Sequence, residues 1–344
     1  MPETLSTGWD IGGAHLKVAQ AEAGGRLVMA LQVPCRLWLG MAELTNALKN
    51  VRDRLLPSNR HGVTMTGELT DLFADRAEGV ARLSEAMEQA FGGADLKIYA
   101  GPQGFLPPSK AAANWRAVAS ANWHASARLV AARHRSALFI DAGSTTTDIV
   151  PVRNGHVDAV GYTDNERLVS DELVYSGATR TPVMAIADRV PFEGQSQRLM
   201  AEHFATTADV YRLTGELPDD ADQLPTADGR GKTAEDSARR LARVLGRDLD
   251  SAPMDAWRRL AAYLAERQRQ SLHAAIDRVL SRGGLDDAPI VGAGIGRFLV
   301  RALAARWGRR YADFADLIDG DFQTREWAAR CAPAAATAIL ALDE

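Results

Sequence analysis

Cysteine is nearly missing from this chain. Cys35 and Cys331 are the only two, one near each end, with no CxxC pair and no neighbouring histidines at metal-ligand spacing. That excludes a disulfide framework and a zinc site, and leaves two reduced, buried thiols of a cytosolic protein as the expectation. Basic charge is not in excess either: 40 Lys and Arg against 44 Asp and Glu give a formal net charge of -4, without the footprint that holds a nucleic-acid backbone by counterion release. No apolar run, the tail segment 331–342 included, reaches the roughly 18–20 residues of a membrane span. The start, MPETLSTGWDIGG, has neither the basic nor the apolar region of a signal peptide. A cytoplasmic protein with no nucleic-acid and no membrane partner is therefore expected. The seven histidines, among them His15, show no HExxH or paired spacing.

What is present suits a folded α/β chain. With 344 residues, 46% hydrophobic and 24% charged, two domains around two cores are expected. Segments 7–11, 16–21, 27–33, 63–65 and 96–100 read as strands, and 41–55 and 79–91 as helices. An Ala-, Trp- and Arg-rich stretch, 107–135, suits a connecting helix pair, with Trp115 and Trp123 on similar faces as core residues. A second α/β unit then opens with strands at 137–140, 149–152 and 156–160, the last two joined by an Asn154-Gly155 turn. Residues 163–250 are polar and turn-rich and read as an insertion shaping a substrate site; within them 239–247, RRLARVLGR, reads as a solvated basic helix face. A long helix is expected over 254–282, a buried strand ending in glycines over 289–296, and one closing helix over 324–342.

The two units share an opening. WDIGGAHLKVAQ and IDAGSTTTDIVP each place an Asp at the end of an apolar strand, then small residues, then a returning strand; aligning Asp10 with Asp141 gives an offset of 141 minus 10, or 131 residues, the size of a domain. In both turns backbone N–H groups lie open, as a phosphate requires. The first offers Gly12, Gly13, His15 and, on the returning strand, Lys17 as a point charge. The second offers Gly143 with the hydroxyls of Ser144, Thr145 and Thr146. Asp10 and Asp141, facing across a cleft, suit a hydrated Mg²⁺. A third glycine turn, VGAGIGR, has Gly292, Gly294 and Gly296 leading into a helix whose N-terminus attracts an anion or a nucleotide edge, but lacks the dinucleotide spacing. GRGKT, 229–233, lacks the upstream glycine of a P-loop, where Thr226 stands instead.

In this order the three turns resemble the phosphate-one, phosphate-two and adenosine motifs of the actin, heat-shock protein and sugar-kinase superfamily. The resemblance implies a duplicated actin-like ATPase (ribonuclease H-like) α/β fold around a central phosphate-binding cleft. The domains would be 1–135 and 136–323, with the insertion in the second and a terminal helix, 324–344, packing back on the first. DIGGAHLK and DAGSTTTD look most like the hydantoinase A and oxoprolinase branch. VTMTGELTDLFADRAEGV, DELVYSGATRTPV, TADGRGKTAEDSARRLAR and GAGIGRFL resemble, more finely, a family of short proteins linked to tetrahydromethanopterin-dependent one-carbon transfer, which condenses an aminomethylfuran-methyl diphosphate with γ-glutamyltyramine in methanofuran biosynthesis.

That resemblance implies a transferase that forms an aryl ether and releases pyrophosphate. Lys17, the two glycine turns and Mg²⁺ would meet charge developing on the leaving oxygens. The acceptor phenol, with a reference pKa near 10, needs a base, for which Glu68 and then Asp148 are candidates. Arg180, Arg230 and Lys232 would hold the acceptor's carboxylate. Ala14, where many superfamily kinases carry a hydroxyl residue, and the lack of an obvious sugar-binding Asp point away from phosphoryl transfer from ATP; ATP binding and self-association stay open. Two other functions compete: an ATP-dependent hydrolase of cyclic amides, for which the chain is short, and a non-catalytic nucleotide sensor.

Overall fold

The computed structural model describes residues 5–344. The first sheet contains β1 (Ser6–Ile11), β2 (His15–Ala21), β3 (Leu27–Pro34), β4 (Arg60–Met65), β5 (Asp95–Tyr99) and β6 (Phe105–Leu106), in the order β3-β2-β1-β4-β5-β6. The second is built on β7 (Ala137–Ala142), β8 (Thr147–Arg153), β9 (His156–Val157) and β10 (Leu173–Val174). A separate hairpin, β11 (Arg189–Phe192) with β12 (Gln195–Arg198), precedes β13 (Ile290–Ala293) and β14 (Tyr311–Asp313), which complete the second sheet.

Its order is β10-β8-β7-β13-β14, with β9 sharing the outer edge of β8, and counted through β9 it repeats β3-β2-β1-β4-β5, with antiparallel pairing in the first three and parallel pairing from the central strand outward. The offset between the two Asp residues is thus a duplication of topology, and the fold is the duplicated actin-like α/β fold. Register carries the same offset: Asp10 pairs with Lys17 across β1 and β2, and Asp141 with Asp148 across β7 and β8.

Alternation along the strands divides the apolar side chains among three cores. In β2, Leu16 and Val18 face a core built with Leu44, Val51 and Leu83 of the covering helices Met41–Arg52 and Arg76–Phe91, whereas Ala19 and Ala21 face the middle of the molecule. In β7, Phe139 faces that same middle, and Leu138 and Ile140 face a third core with Leu260, Leu264 and Ile276 of the helix Met254–Leu280. The middle layer is therefore shared by both sheets and is filled by the helices Asn122–Arg133 and Ala332–Leu340. Alanine lets the latter approach closely: a Cβ on Gly8 of β1 would lie 2.2 Å from the Ala334 carbonyl oxygen and from the Ala338 nitrogen.

Several local expectations are corrected. The closing helix is two, Phe322–Arg330 and Ala332–Leu340, because Pro333 cannot continue the first and instead starts the second. Trp115 and Trp123 do not share a helix, since the chain turns at Ser120, with φ +53°, between Trp115–Val118 and Asn122–Arg133. The strand expected at 156–160 ends at Val157, after an Asn154-Gly155 turn in which both residues have positive φ. Much of the polar 163–250 stretch is packed: Val183, Phe192, Tyr211 and Leu241 join the third core. The basic face read at 239–247 is not wholly solvated either, because Arg240 is fully buried and bonds Asp209 at 2.7 Å and Asp228 at 3.0 Å.

Gly8→Ala forces the terminal helix off β1, and the expected loss is about 3 kcal/mol of stability, the upper part of the overpacking range. Urea unfolding measures it; a midpoint equal to wild type would contradict the close approach.

Candidate functional site

Both hairpin turns are closed by the same bond. Gly12 N–H donates to the His15 carbonyl at 3.0 Å, and Gly143 N–H to the Thr146 carbonyl at 2.9 Å, again 131 residues apart (143 minus 12 and 146 minus 15). Glycine is needed at the first, where a Cβ would lie 2.9 Å from the His15 carbonyl oxygen. The second turn is braced from the side: Ser144 O accepts from Arg180 N at 2.9 Å, and Gly177 packs against Ser144 so closely that a Cβ would lie 2.5 Å from it.

Between the turns lies a cavity of about 490 Å³. One wall carries Gly12, Gly13, His15 and Lys17; the other carries Gly143, Ser144, Thr145 and Thr146, with Asp141 and Asp148. At the mouth stand Trp38, Leu69 and Tyr175, all exposed large apolar side chains. Arg180 bridges the lobes there: its guanidinium lies over the Trp38 ring at 5.2 Å and donates to Thr145 Oγ1 at 3.2 Å.

Charge in the cavity is unevenly matched. Lys17 Nζ donates to Asp10 Oδ2 at 3.0 Å. Burial works against the Lys17 charge, but Asp10 and, more weakly, Asp141 outweigh it and hold the ammonium well above the usual lysine range. At the equivalent position in the second hairpin stands Asp148, which instead accepts from Arg167 Nη1 at 2.8 Å; Arg167 in turn lies 4.0 Å over the Trp123 ring. Burial and then the neighbouring Asp148 push Asp141 up to about 7, against the pull of Lys17. Burial, then Lys17 and Arg180, pull His15 down to about 3, so its ring is neutral at pH 7.

Among the described residues no cluster of three or more His, Cys, Asp or Glu is placed to hold a metal. A hydrated Mg²⁺ asks for less, one or two carboxylates with substrate and water oxygens. Asp141 fits, since it borders the cavity beside Asp148, and its carboxyl is raised first by burial and then by that neighbour. Asp10 fits less well than the sequence suggested: it does not border the cavity, and with one oxygen on Lys17 its Oδ1 is buried without a partner.

Other expected site residues fall elsewhere. Glu68 is buried one layer behind the cavity wall, where Oε1 accepts from Ser120 Oγ at 3.0 Å. Gly292, Gly294 and Gly296 do not line the cavity; their missing side chains admit the chain itself. A Cβ on Gly294 would lie 2.2 Å from the Ala142 carbonyl oxygen and 2.4 Å from Asp141 Oδ1, and one on Gly292 would lie 2.6 Å from the Tyr311 ring. Arg230 and Lys232 do not reach the cavity either. Arg230 is exposed, and Lys232 Nζ donates to the Asp222 carbonyl at 2.5 Å, in a loop that Arg240 ties down through Asp228 and the Gly231 carbonyl.

Sequence reasoning missed Ser120, Asp164, Arg167, Trp38 and the bordering role of Trp123, all of which line the cavity. Tyr175 carried a signal, since it shares the block DELVYSGATRTPV with Arg180, and so did Ser120 and Trp123, which share the block ASANWHASA, 119–127, that resembles the same family.

Comparison with known proteins gives three findings. The model of the family described as hydantoinase/oxoprolinase matches residues 59–312. A protein of Methanocaldococcus jannaschii named (4-{4-[2-(gamma-L-glutamylamino)ethyl]phenoxymethyl}furan-2-yl)methanamine synthase is 33% identical over 288 residues, 83% of this chain and 85% of that one. A Methanococcus vannielii protein of the same name is 29% identical over 160 residues, 46% of this chain and 72% of that one. Among solved structures, the ADPNP-bound activator of the 2-hydroxyisocaproyl-CoA dehydratase of Clostridium difficile aligns over 99% of this chain and 95% of its own at TM-score 0.48 and 12% identity. No described helix is long and apolar enough to cross a membrane.

The Asp141 carboxyl gives a direct check on the charge of the site. Its folded pKa of about 7 lies above the unfolded value, so the folded state keeps a proton that the unfolded state has lost, and stability falls as pH rises through that window. Asp141→Asn is expected to melt higher than wild type at about pH 8, the gap closing toward about pH 4. Mg²⁺ is expected to raise the wild-type melting temperature at the upper pH and to leave the variant unmoved. Equal melting curves at both pH values would contradict the burial of an uncompensated carboxyl.

Proposed function

The chain belongs to the hydantoinase/oxoprolinase family, and from that premise we propose that it is a transferase of methanofuran biosynthesis, joining γ-glutamyltyramine to an aminomethylfuran-methyl diphosphate as an aryl ether and releasing pyrophosphate. What carries this reading is the division of one cavity into an anion-binding floor, made by both hairpin turns, and an aromatic mouth. The relative at 33% identity over 83% of the chain is named for the aryl ether this reaction would form, which supports the reading.

The Gly13 amide, Lys17 and the Ser144–Thr146 hydroxyls receive the diphosphate, the Gly12 N–H being already bonded to the His15 carbonyl, and negative charge growing on it as the furan-methyl C–O bond breaks is met by donors already in place. Neutral His15 adds a hydrogen bond without adding charge. Mg²⁺ held by Asp141, with Asp148 beside it, would neutralise leaving oxygens when bound. Trp38, Leu69 and Tyr175 receive the two aromatic rings, and Arg180 offers the acceptor's single α-carboxylate a planar fork. Ring burial at the mouth also keeps water from the furan-methyl carbon, where it would compete with the phenol.

Incubation of the protein with the two substrates and Mg²⁺, without ATP, is expected to yield the ether and pyrophosphate by mass spectrometry. Lys17→Ala is expected to lower kcat by about a hundredfold or more while the circular dichroism stays that of wild type. Absence of ether, or ATP turnover stimulated by a hydantoin or 5-oxoproline, would move the protein to hydrolase chemistry.

A further inference from the structure

Ser120 occupies an unusual place. Its φ of +53° is costly for a residue other than glycine, and it sits in the turn that brings the cavity wall against buried Glu68. Its hydroxyl oxygen lies 3.0 Å from Glu68 Oε1 and 3.2 Å from Asp164 Oδ2. A hydroxyl has one hydrogen to donate, so both contacts are hydrogen bonds only when one of the two carboxyls is protonated. Arg76 Nη2, 2.7 Å from that same Asp164 oxygen, holds Asp164 as the carboxylate. The extra proton therefore rests on Glu68, which then donates to Ser120 Oγ while Ser120 donates to Asp164; when Glu68 is ionised, its Oε1 accepts from Ser120 instead, and its Oε2 is buried without a partner. The other titratable or charged groups facing Glu68 are Asp164, Tyr175 and Arg76, the last on the helix Arg76–Phe91, which packs through Gly79 onto the Glu68 backbone. Burial pushes Glu68 up to about 7, with its own backbone and Ser120 pulling down, Asp164 pushing up and Arg76 pulling down.

We propose that Ser120 relays the proton of the acceptor hydroxyl from the cavity to Glu68. This rests on the transfer reaction above and supplies the base that the reaction needs. In the productive state Glu68 is ionised. As the acceptor O–H bond breaks, its proton passes to Ser120 Oγ while the Ser120 hydrogen passes to Glu68 Oε1. The phenolate oxygen then forms the new bond to the furan-methyl carbon, and the C–O bond to the diphosphate breaks with its electron pair leaving on pyrophosphate. One proton ends on Glu68, and solvent must remove it before the next turnover. Asp164 takes no proton in this scheme and stays paired with Arg76.

The test is the pH dependence of kcat in wild type, Glu68→Gln, Ser120→Ala and Ser120→Gly. Wild-type kcat is expected to rise through about pH 7 as Glu68 ionises. All three variants are expected to lose about a hundredfold or more in kcat, with KM little changed and the rise abolished. The glycine variant relieves the positive φ and still lacks the hydroxyl, so equal loss in Ser120→Ala and Ser120→Gly assigns the effect to the oxygen; recovery in Ser120→Gly would overturn the relay. So would a Glu68→Gln enzyme with the wild-type profile. A wild type that forms no ether overturns the transfer reading instead. Infrared titration then judges the Glu68–Ser120 proton separately: a protonated-carboxyl band that fades through about pH 7 and is missing from Glu68→Gln supports it, and its absence from wild type overturns it.

Discussion

One ammonium among carboxylates is the constraint on which this site depends. Lys17 is held by Asp10 across the first hairpin, while Asp141 and Asp148 stand across the second with Arg167 as their remaining cation. Duplication placed these four side chains at equivalent register positions, and divergence made one of the returning-strand residues a lysine and the other an aspartate. The result is a cleft in which a cation is pinned to one wall and an unpaired carboxyl, pushed up to about 7, waits on the other. On the proposed reading such a cleft takes an anion against Lys17 and a cation against Asp141, the two together more readily than either alone.

The scaffold serves that pairing. Both sheets share the middle core, in which the Ala332–Leu340 helix reaches β1 at Gly8 by backbone contact, and Arg180 and the Arg76–Asp164 pair add side-chain bridges between the lobes. Gly294 acts similarly on the second lobe, where any side chain would displace the Asp141 carboxylate. The third glycine turn is thus explained by close packing: Gly294 on Asp141 and Ala142, Gly296 on Ala142 and Ala178, and Gly292 on the Tyr311 ring.

Legibility in the sequence followed the range of the interactions. The hairpins were readable because strand alternation and glycine turns are local, and their duplication because it repeats at a constant offset. Pro333 should have split the last helix on local grounds, and was overlooked amid the alanines. The roles of Ser120, Arg167 and Asp164 were not legible: each gains its role from a residue distant in sequence, Ser120 from Glu68 52 positions away and Arg167 from Asp148 19 positions away. Arg230 and Lys232 misled for the converse reason. Their charge was visible, but the Arg240 network that holds their loop away from the cavity was not.

The most direct measurement is a crystal structure of the protein with pyrophosphate and Mg²⁺. The account requires the anion to touch Lys17 and the Ser144–Thr146 turn at once, with the cation on Asp141. Pyrophosphate bound at one hairpin only, or beside the third glycine turn, would contradict it.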